Sequence, residues 1–356
     1  METTAGETWT NPDALRAAWA ALRTKGMVRN RDAAQQLGVS EAELIASQCG
    51  QGVTRLEGDF RRLLERMHEL GPVMALTRND DVVHEKIGRY ENVSADGMIG
   101  LALGEDIDLR LFFRHWKLGY AVEEATDHGP RSSLQFYDES GTAVHKVFLR
   151  GESHVRACRA LVEAFMGQRQ TPGERVTPLE PDAADSDDAA TDRDGFLSAW
   201  SEMKDTHEFF PLLRRFKVSR TQALRLARGR FAEPVSVRSA RALLNDVAGT
   251  HLPIMVFVGN RGCIQIHTGP VANVKPMGPW LNVMDPGFNL HLREDRIAAA
   301  WVVRKPTTEG DVTSLELFNA GGETMAMLFG KRKPGIPELP AWRETVARLP
   351  ASEVAS

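Results

Sequence analysis

The sequence is poor in the features that usually disclose a function. It has three cysteines in 356 residues, Cys49, Cys158 and Cys263, far apart and without a CxxC pair. That excludes a zinc ribbon, a thioredoxin-type site and a disulfide framework. No window approaches 18 consecutive apolar residues, so no membrane span is expected. The N-terminus, METTAGETWTNPDALR, lacks the basic and apolar regions of a secretory signal. A reducing cytoplasm is the expected compartment. Charge of one sign is also scarce, with a net −4 at 26% charged residues. A chain serving mainly nucleic acid or an anionic membrane would carry a strong positive field. There is no GxSxG, no P-loop, no HExxH and no GxGxxG after a strand. The glycine pair of VGNRGC falls in a hairpin-like turn rather than a phosphate cradle. Conventional hydrolase, kinase and nicotinamide-dehydrogenase chemistry therefore loses its signatures.

What is present begins with length, which predicts two domains. Residues 168–194, QRQTPGERVTPLEPDAADSDDAATDRD, are rich in Pro, Asp, Ala and Thr and almost free of large apolar side chains. Such a stretch cannot offset its ordering entropy by burial, and an exposed linker is expected there. Its part EPDAADSDDAATDRD carries a charge of −6, so the rest of the chain totals about +2. The flanking stretches, 12–167 and 195–350, repeat one another. At an offset of 181, Trp19 falls on Trp200, Asn79 on Asn260, Gly88 on Gly269, Leu109 on Leu290 and Phe148 on Phe329. The helical part runs two positions out of register, with Val39-Ser40 on Val218-Ser219. This is a tandem duplication whose period is a whole domain, too long for a solenoid.

Each repeat opens with helical patterns, Pro12–Thr24, Asp32–Leu37 and Glu41–Gln48 in the first, Asp194–Lys204, Pro211–Phe216 and Arg220–Arg228 in the second. Short β-branched and aromatic runs then alternate with turn residues every 8–12 positions or so, the pattern of an antiparallel meander. No βαβ alternation is visible. The expected fold is α+β, a tandem duplication in which helices precede an antiparallel sheet.

The chemistry-bearing residues left are histidines and arginines. The ten histidines (68, 84, 115, 128, 145, 154, 207, 251, 267 and 291) form no HxH or HxxxH cluster. His207 stands out. Phe196, Trp200, Met203, His207, Phe210 and Arg214 share helical spacing, but Pro211 either kinks that helix or starts a new one. A histidine on such a bend is either a core group bonded to a backbone carbonyl or a ligand facing a cleft, and residue type alone favours the former. Arg110, on one strand face with Asp108 and Phe112, and Arg220, Lys305 and Arg332 each read singly as surface charge. Taken together, such cations suit a ligand with two carboxylates.

The strings LGPVMALTRNDDVVHEKIGRYENV, SLQFYDESGTAVHKVFLR, PIMVFVGNRGCIQIHTGPV, GPWLNVMDPGFNLHLRED and AWVVRKPTTEGDVTSLELF resemble the bacterial haemin-degrading factors, also described as cytoplasmic haem carriers, over residues 12–348. The resemblance implies two similar α+β domains with stacked antiparallel sheets and haem b in a cleft between the halves. It implies His207, in DTHEFFPLLRRF, as axial iron ligand, and Arg110 and Phe112, in DIDLRLF, as the distal arginine and aromatic. Arg220, Lys305 and Arg332 match propionate-binding residues. Some members carry a tyrosine and a glutamine where this chain has Phe329 and Met327, so a phenol hydroxyl and an amide are missing. Shifted back by 179, His207 meets Val28, and Arg110 shifted forward by 181 meets His291. One haem per chain is expected, with a pseudo-symmetric second site on His291 as the alternative.

Imidazole is a competent axial ligand, and a distal guanidinium donates hydrogen bonds without releasing a proton. No CxxCH occurs, so covalent haem attachment is excluded, and no Cys-Pro dipeptide of a thiolate-regulated sensor is present. The resemblance implies a protein of bacterial haem-iron acquisition that degrades haem oxidatively, with Arg110 and His207 as catalytic groups and a reductase as electron donor. The alternative is a non-catalytic carrier, working with a haem importer or passing haem to a separate haem oxygenase. A third reading is a DNA-binding regulator, since RNRDAAQQLGVSEAELIAS has helix-turn-helix character. Its second helix carries two glutamates and no arginine, which is poor for facing phosphates.

Overall fold

The structure, a computed structural model, describes residues 11–26, 28–126, 129–151, 153–180, 185, 187–332 and 335–352. His128 and five positions of the 168–194 segment lie outside the described residues. The chain forms two compact units, residues 1–78, 85–180 and 260–265 in the first, and 79–84, 181–259 and 266–356 in the second.

In the first unit, α1 (Pro12–Arg23), α2 (Asn30–Leu37) and α3 (Glu41–Ala46) precede β1 (Val53–Leu56) and α4 (Phe60–Glu65). Then come β2 (Val73–Arg78), β3 (Val82–Gly88), β4 (Val93–Asp96), β5 (Ile99–Leu103), β6 (Asp108–Phe112), β7 (Leu118–Thr126), β8 (Gly129–Tyr137), β9 (Ala143–Leu149) and α5 (Val155–Ala164). Strands β1, β7, β8, β9 and β2 are hydrogen-bonded in that order, all antiparallel, and β4, β5 and β6 form a meander.

The second unit repeats the plan. It has α6 (Arg193–Ser201), α7 (Phe209–Phe216), α8 (Arg220–Leu226), β10 (Ala232–Val235) and α9 (Ser239–Thr250). Next come β11 (Ile254–Gly259), β12 (Cys263–Gly269), β13 (Val274–Met277), β14 (Trp280–Asp285), β15 (Phe288–Arg293), β16 (Ala299–Lys305), β17 (Val312–Phe318), β18 (Thr324–Gly330) and α10 (Pro340–Ala347). Its ladder runs β10, β16, β17, β18, β11, and its meander β13, β14, β15. The expected α+β duplication is what the chain adopts. Its helices are more numerous than the opening patterns: α4 and α9 interrupt the strands, and α5 and α10 follow them.

The register of the duplication is visible element by element. Strands β2 and β11 begin 181 residues apart, as do β3 and β12, and β9 and β18. Helices α2 and α7, and α3 and α8, begin 179 apart, the two-residue correction read from Val39 and Val218. Both α2 and α7 end on a left-handed residue, Gly38 at φ 68° and Lys217 at φ 55°. Glycine adopts that conformation freely, whereas a side chain there costs about 1–2 kcal/mol. Each unit buries one tryptophan under its opening helices, Trp19 and Trp200. Cutting either to alanine would cost about 3–5 kcal/mol. A second core in each unit lies between the sheet and the later helices.

Two boundaries differ from the continuous stretches 12–167 and 195–350. First, residues 79–84 and 260–265 are exchanged. The side chain of Asn79 accepts from the amides of Asp81 and Val82 and donates to the carbonyls of Gly259 and Met325. Asn260 does the same with Gly262 and Cys263, and with Arg78 and Val144. These asparagines are one repeat apart and tie each turn to the other repeat's strands. Second, the 168–194 segment is not a bare exposed linker. The buried guanidinium of Arg55 bonds the carbonyls of Arg169 and Gly173 and pairs with the half-buried carboxylate of Glu174. Farther on, Arg225 holds Asp185 at 2.8 Å and Asp188 at 3.3 Å. Composition undercounts such a segment because charged partners, not apolar burial, fix it.

Candidate functional site

The turn that carries His207 is built by Asp205. Helix α6 ends at Ser201, and a single 3-10 turn, Thr206–Glu208, follows. The Asp205 carboxylate caps that turn by accepting the His207 amide at 2.7 Å. The same oxygen lies 2.6 Å from Nδ1 of the His207 ring. An ionised carboxylate has no hydrogen to give, so Nδ1–H donates and the lone pair is left on Nε2. The side chain of His207 is 90% exposed. The Asp205 carboxyl is held below its usual range, chiefly by the His207 amide bond, then by the ring bond and the charges of His207 and Arg332. His207 is thus not a core histidine on a backbone carbonyl. The continuous helical face does not form either. Pro211 sits in the first turn of α7, where its missing N–H costs nothing. The bend shifts the register by one residue, so Phe209 packs on Trp200 at 4.6 Å while Phe210 is 65% exposed.

Phe209 leads to a buried ionic corner. Arg220 stands at the first position of α8, after Ser219, whose hydroxyl caps the helix through the Gln222 amide. Its Nε and Nη2 donate to Glu316 of β17 at 2.6 and 2.7 Å. Lys305 of β16 donates to the same carboxylate at 2.8 Å, and the Ser314 hydroxyl at 3.1 Å. Glu316 is fully buried, and burial alone would raise its pKa. The charges of Arg220 and Lys305 outweigh that and hold it well below the usual carboxylate range. Lys305 is buried too, and burial, with repulsion from Arg220, brings it down to about 8 against the pull of Glu316. The Phe209 ring lies 4.7 Å from the Lys305 ammonium and 5.1 Å from the Arg220 guanidinium. Phe329 lies 5.9 Å from Lys305 and packs on Phe257 at 5.0 Å. The sulfur of Met327 accepts from Arg220 at 3.1 Å. Arg332 is half-buried and acts on Asp205. The corner therefore has two cations, one carboxylate and an aromatic wall, a combination suited to an anionic group on a flat apolar ligand.

The second unit thus gathers His207, Arg220, Lys305, Phe329 and Arg332. The other two expected residues belong to the first unit. Along β6, half-buried and buried residues alternate, placing Asp108, Arg110 and Phe112 on one face. Arg110 pairs with Asp108 and donates to the Leu109 carbonyl at 3.2 Å. Leu101 and Ile99 stand opposite Arg110 and Phe112 across the ladder. With Ile99 57% and Leu103 44% exposed, this is an open apolar face bearing one guanidinium. The Phe112 amide and the Trp116 indole both donate to the Gly262 carbonyl at 2.9 Å, which fixes the end of that strand. His291 bonds Asn282 through Nδ1 at 2.6 Å.

Three functional groups escaped the sequence reading. Asp205 was legible in principle, because Asp two residues before a turn residue is an Asx-turn pattern. Glu316 had a fainter signal, as the one acid in the apolar strand VTSLELF demands a partner. Nothing in the sequence named that partner as Arg220. Phe209 was masked by the helical register that favoured Phe210.

Other polar groups are structural. In the first unit, His145 is fully buried between Tyr90 at 2.6 Å and Thr77 at 2.8 Å, and burial pulls its pKa down to about 3. The Cys263 thiol, in the same core, is pushed up to about 12. Helix α3 buries five of its six residues, Glu41 included, so it offers no face to a nucleic-acid groove. Among the described residues no helix is long and apolar enough to cross a membrane.

Comparison with known proteins agrees with the duplicated fold. A family model described as the haemin-degrading HemS/ChuX domain matches residues 38–165 and again 217–349. The hemin transport protein HmuS of Yersinia pestis is 43% identical over 330 residues, covering 92% of this chain and 94% of that protein. The crystal structure of holo-PhuS, a heme-binding protein from Pseudomonas aeruginosa, is 46% identical with a TM-score of 0.94, over 96% of this chain and 99% of that one. That of ChuS, an E. coli heme oxygenase, is 37% identical with a TM-score of 0.85, over 94% and 99%. With the domain matched in each of its repeats, the chain belongs to the haemin-degrading HemS/ChuX family.

Proposed function

We propose that this protein binds haem through its second unit, with His207 as axial ligand, and opens the ring oxidatively to release iron in bacterial haem-iron acquisition. The observation that carries this is the exposed His207 imidazole, its Nδ1 committed to Asp205 and its Nε2 left as donor. The residues present fit the group. A neutral imidazole suits haem iron. Half-buried Phe329 offers a ring-sized apolar contact beside Lys305, and Phe209, buried on Trp200, backs the two cations that a carboxylate needs. Arg220, Lys305 and Arg332 are the proposed propionate partners, and Arg110 and Phe112 the proposed distal pair.

Bound haem supplies the oxygen-activating iron, given electrons from a reductase-type donor. The chain's own groups do the rest. His207 would hold the iron through Nε2. Arg220 retains an Nη1 group beyond its two bonds to Glu316, and that group orients an incoming carboxylate. The Arg110 guanidinium donates hydrogen bonds but keeps its proton at neutral pH, so it stabilises negative charge without acting as an acid.

Exchangeable carriage is the second reading, favoured by the exposure of His207, since an open turn also suits haem transfer from an importer or to a separate oxygenase. HmuS is named as a transport protein and ChuS as a heme oxygenase, so a relative stands behind each reading. A cytoplasmic location belongs to either reading. The deciding experiment is haemin titration followed by reduction under oxygen with catalase present. Soret loss with a new long-wavelength product supports degradation; a stable Soret band under those conditions assigns the carrier role.

A further inference from the structure

We propose that Asp205 is a positioning residue for the axial ligand: it fixes the His207 ring in one tautomer with Nε2 outward and strengthens that nitrogen as a donor. This rests on His207 being the haem ligand. One oxygen of Asp205 accepts both the backbone and the ring N–H of His207, at 2.7 and 2.6 Å, so the ring is held at two points relative to its own backbone. The turn beneath is pinned as well. The Glu208 carboxylate accepts the Lys204 amide at 3.0 Å, which commits it away from the imidazole. The Lys204 carbonyl accepts the Thr308 amide at 3.1 Å. The first repeat supports the pairing. The positions equivalent to Asp205 and His207 are Gly26 and Val28, so the unit lacking the imidazole also lacks the carboxylate.

A carboxylate on Nδ1–H gives the ring partial imidazolate character, which favours the ferric over the ferrous state. Two substitutions separate this role from simple capping of the turn. Asp205→Asn keeps an oxygen that caps the His207 amide but offers the ring a weaker, uncharged acceptor. Asp205→Ala removes both bonds. Because Asp205 is 59% exposed, neither change disturbs a core.

The experiment uses the full chain, first ligand-free and then loaded with haemin. In the ligand-free chain, 15N NMR of the His207 ring should show the Nδ1–H tautomer, and Asp205→Ala should abolish that preference. In the loaded chain, spectroelectrochemistry should give a midpoint potential that moves positive in Asp205→Asn and further in Asp205→Ala. The ferrous iron–histidine stretch should fall in the same order, and haemin affinity should drop by about 10–100-fold. Unchanged tautomer, potential and stretch in both variants overturn the proposal, provided His207→Ala still removes the axial signature. An unchanged spectrum in His207→Ala overturns the haem-ligand reading itself, and the role of Asp205 with it.

Discussion

The two units place the same four positions around the start of an equivalent helix and reverse the charge at two of them. In the second unit they are Arg220, Lys305, Glu316 and Met327; in the first, Glu41, Glu124, Gln135 and Lys146. The connections are retained. Arg220 reaches Met327, and Glu41 reaches Lys146. Glu316 takes a hydrogen bond from Ser314, and Gln135 gives one to the equivalent Ser133. Phe209 covers Lys305, while Asn30, in its place, bonds Glu124 at 3.0 Å. Two cations against one carboxylate leave the second corner one positive charge. In the first corner Glu41 pairs with Lys146, and Glu124 pairs with Arg131 at 2.6 Å and Arg23 at 3.6 Å, so both carboxylates are matched by cations. Duplication has kept the scaffold, and the second corner sets two cations on one buried carboxylate, an arrangement suited to an anion. The proposed axial histidine and its carboxylate follow the same division, Asp205 and His207 against Gly26 and Val28.

That contrast can be broken at several points. The largest effect is expected at His207. His207→Ala should blue-shift and weaken the Soret band of the ferric complex, whereas Val28→Ala, at the equivalent place in the first unit, should leave it unchanged. Next comes the buried carboxylate. Glu316→Gln leaves the Lys305 ammonium without its counter-ion and should cost about 3–5 kcal/mol in urea unfolding. Adding Lys305→Met should recover most of that loss, because the buried charge goes with its partner. Arg220→Ala should weaken haemin binding by about 1.5–3 kcal/mol, the worth of a charge-assisted bond. Haem dimethyl ester, which has no carboxylate to pair, should bind both proteins alike.

A pH titration sharpens the comparison further. The folded pKa of Lys305, about 8, lies below its ordinary value of 10.5. Between those values the unfolded chain holds the proton more tightly, so this group's destabilising contribution is full below pH 8 and is relieved as pH rises toward 10.5. Ligand binding should move the other way. Above pH 8 the corner loses its positive charge, and haemin affinity should fall in the wild type but not in Lys305→Met. The smallest effect on affinity is expected from Arg110→Ala, which should still bind haem while changing the spectrum of the complex and slowing turnover.

The duplication was legible because it is a one-dimensional property. The 181-residue offset and its two-residue slip reappear as the spacings of β2 to β11 and α2 to α7. Helix α4, with only six residues, and α9, which contains asparagine, threonine and a glycine, gave weak periodic signals, and packing stabilises them. The site was legible only in part. His207 declared itself through a proline-marked bend, but whether it faced core or solvent depended on how Asp205 closed the turn. Glu316 became meaningful only once folding brought Arg220, 96 residues away, onto it. Local chemistry can be read along the chain, whereas the partner of a buried charge is set by packing.

On the proposed function, a single copy of the duplicated domain carries the haem site. Its most direct test is spectrophotometric titration of the full-length protein and its His207→Ala variant with haemin. One equivalent per chain is expected, with an axial-histidine spectrum that disappears in the variant. Two equivalents of equal affinity, or an unchanged spectrum in His207→Ala, would contradict it.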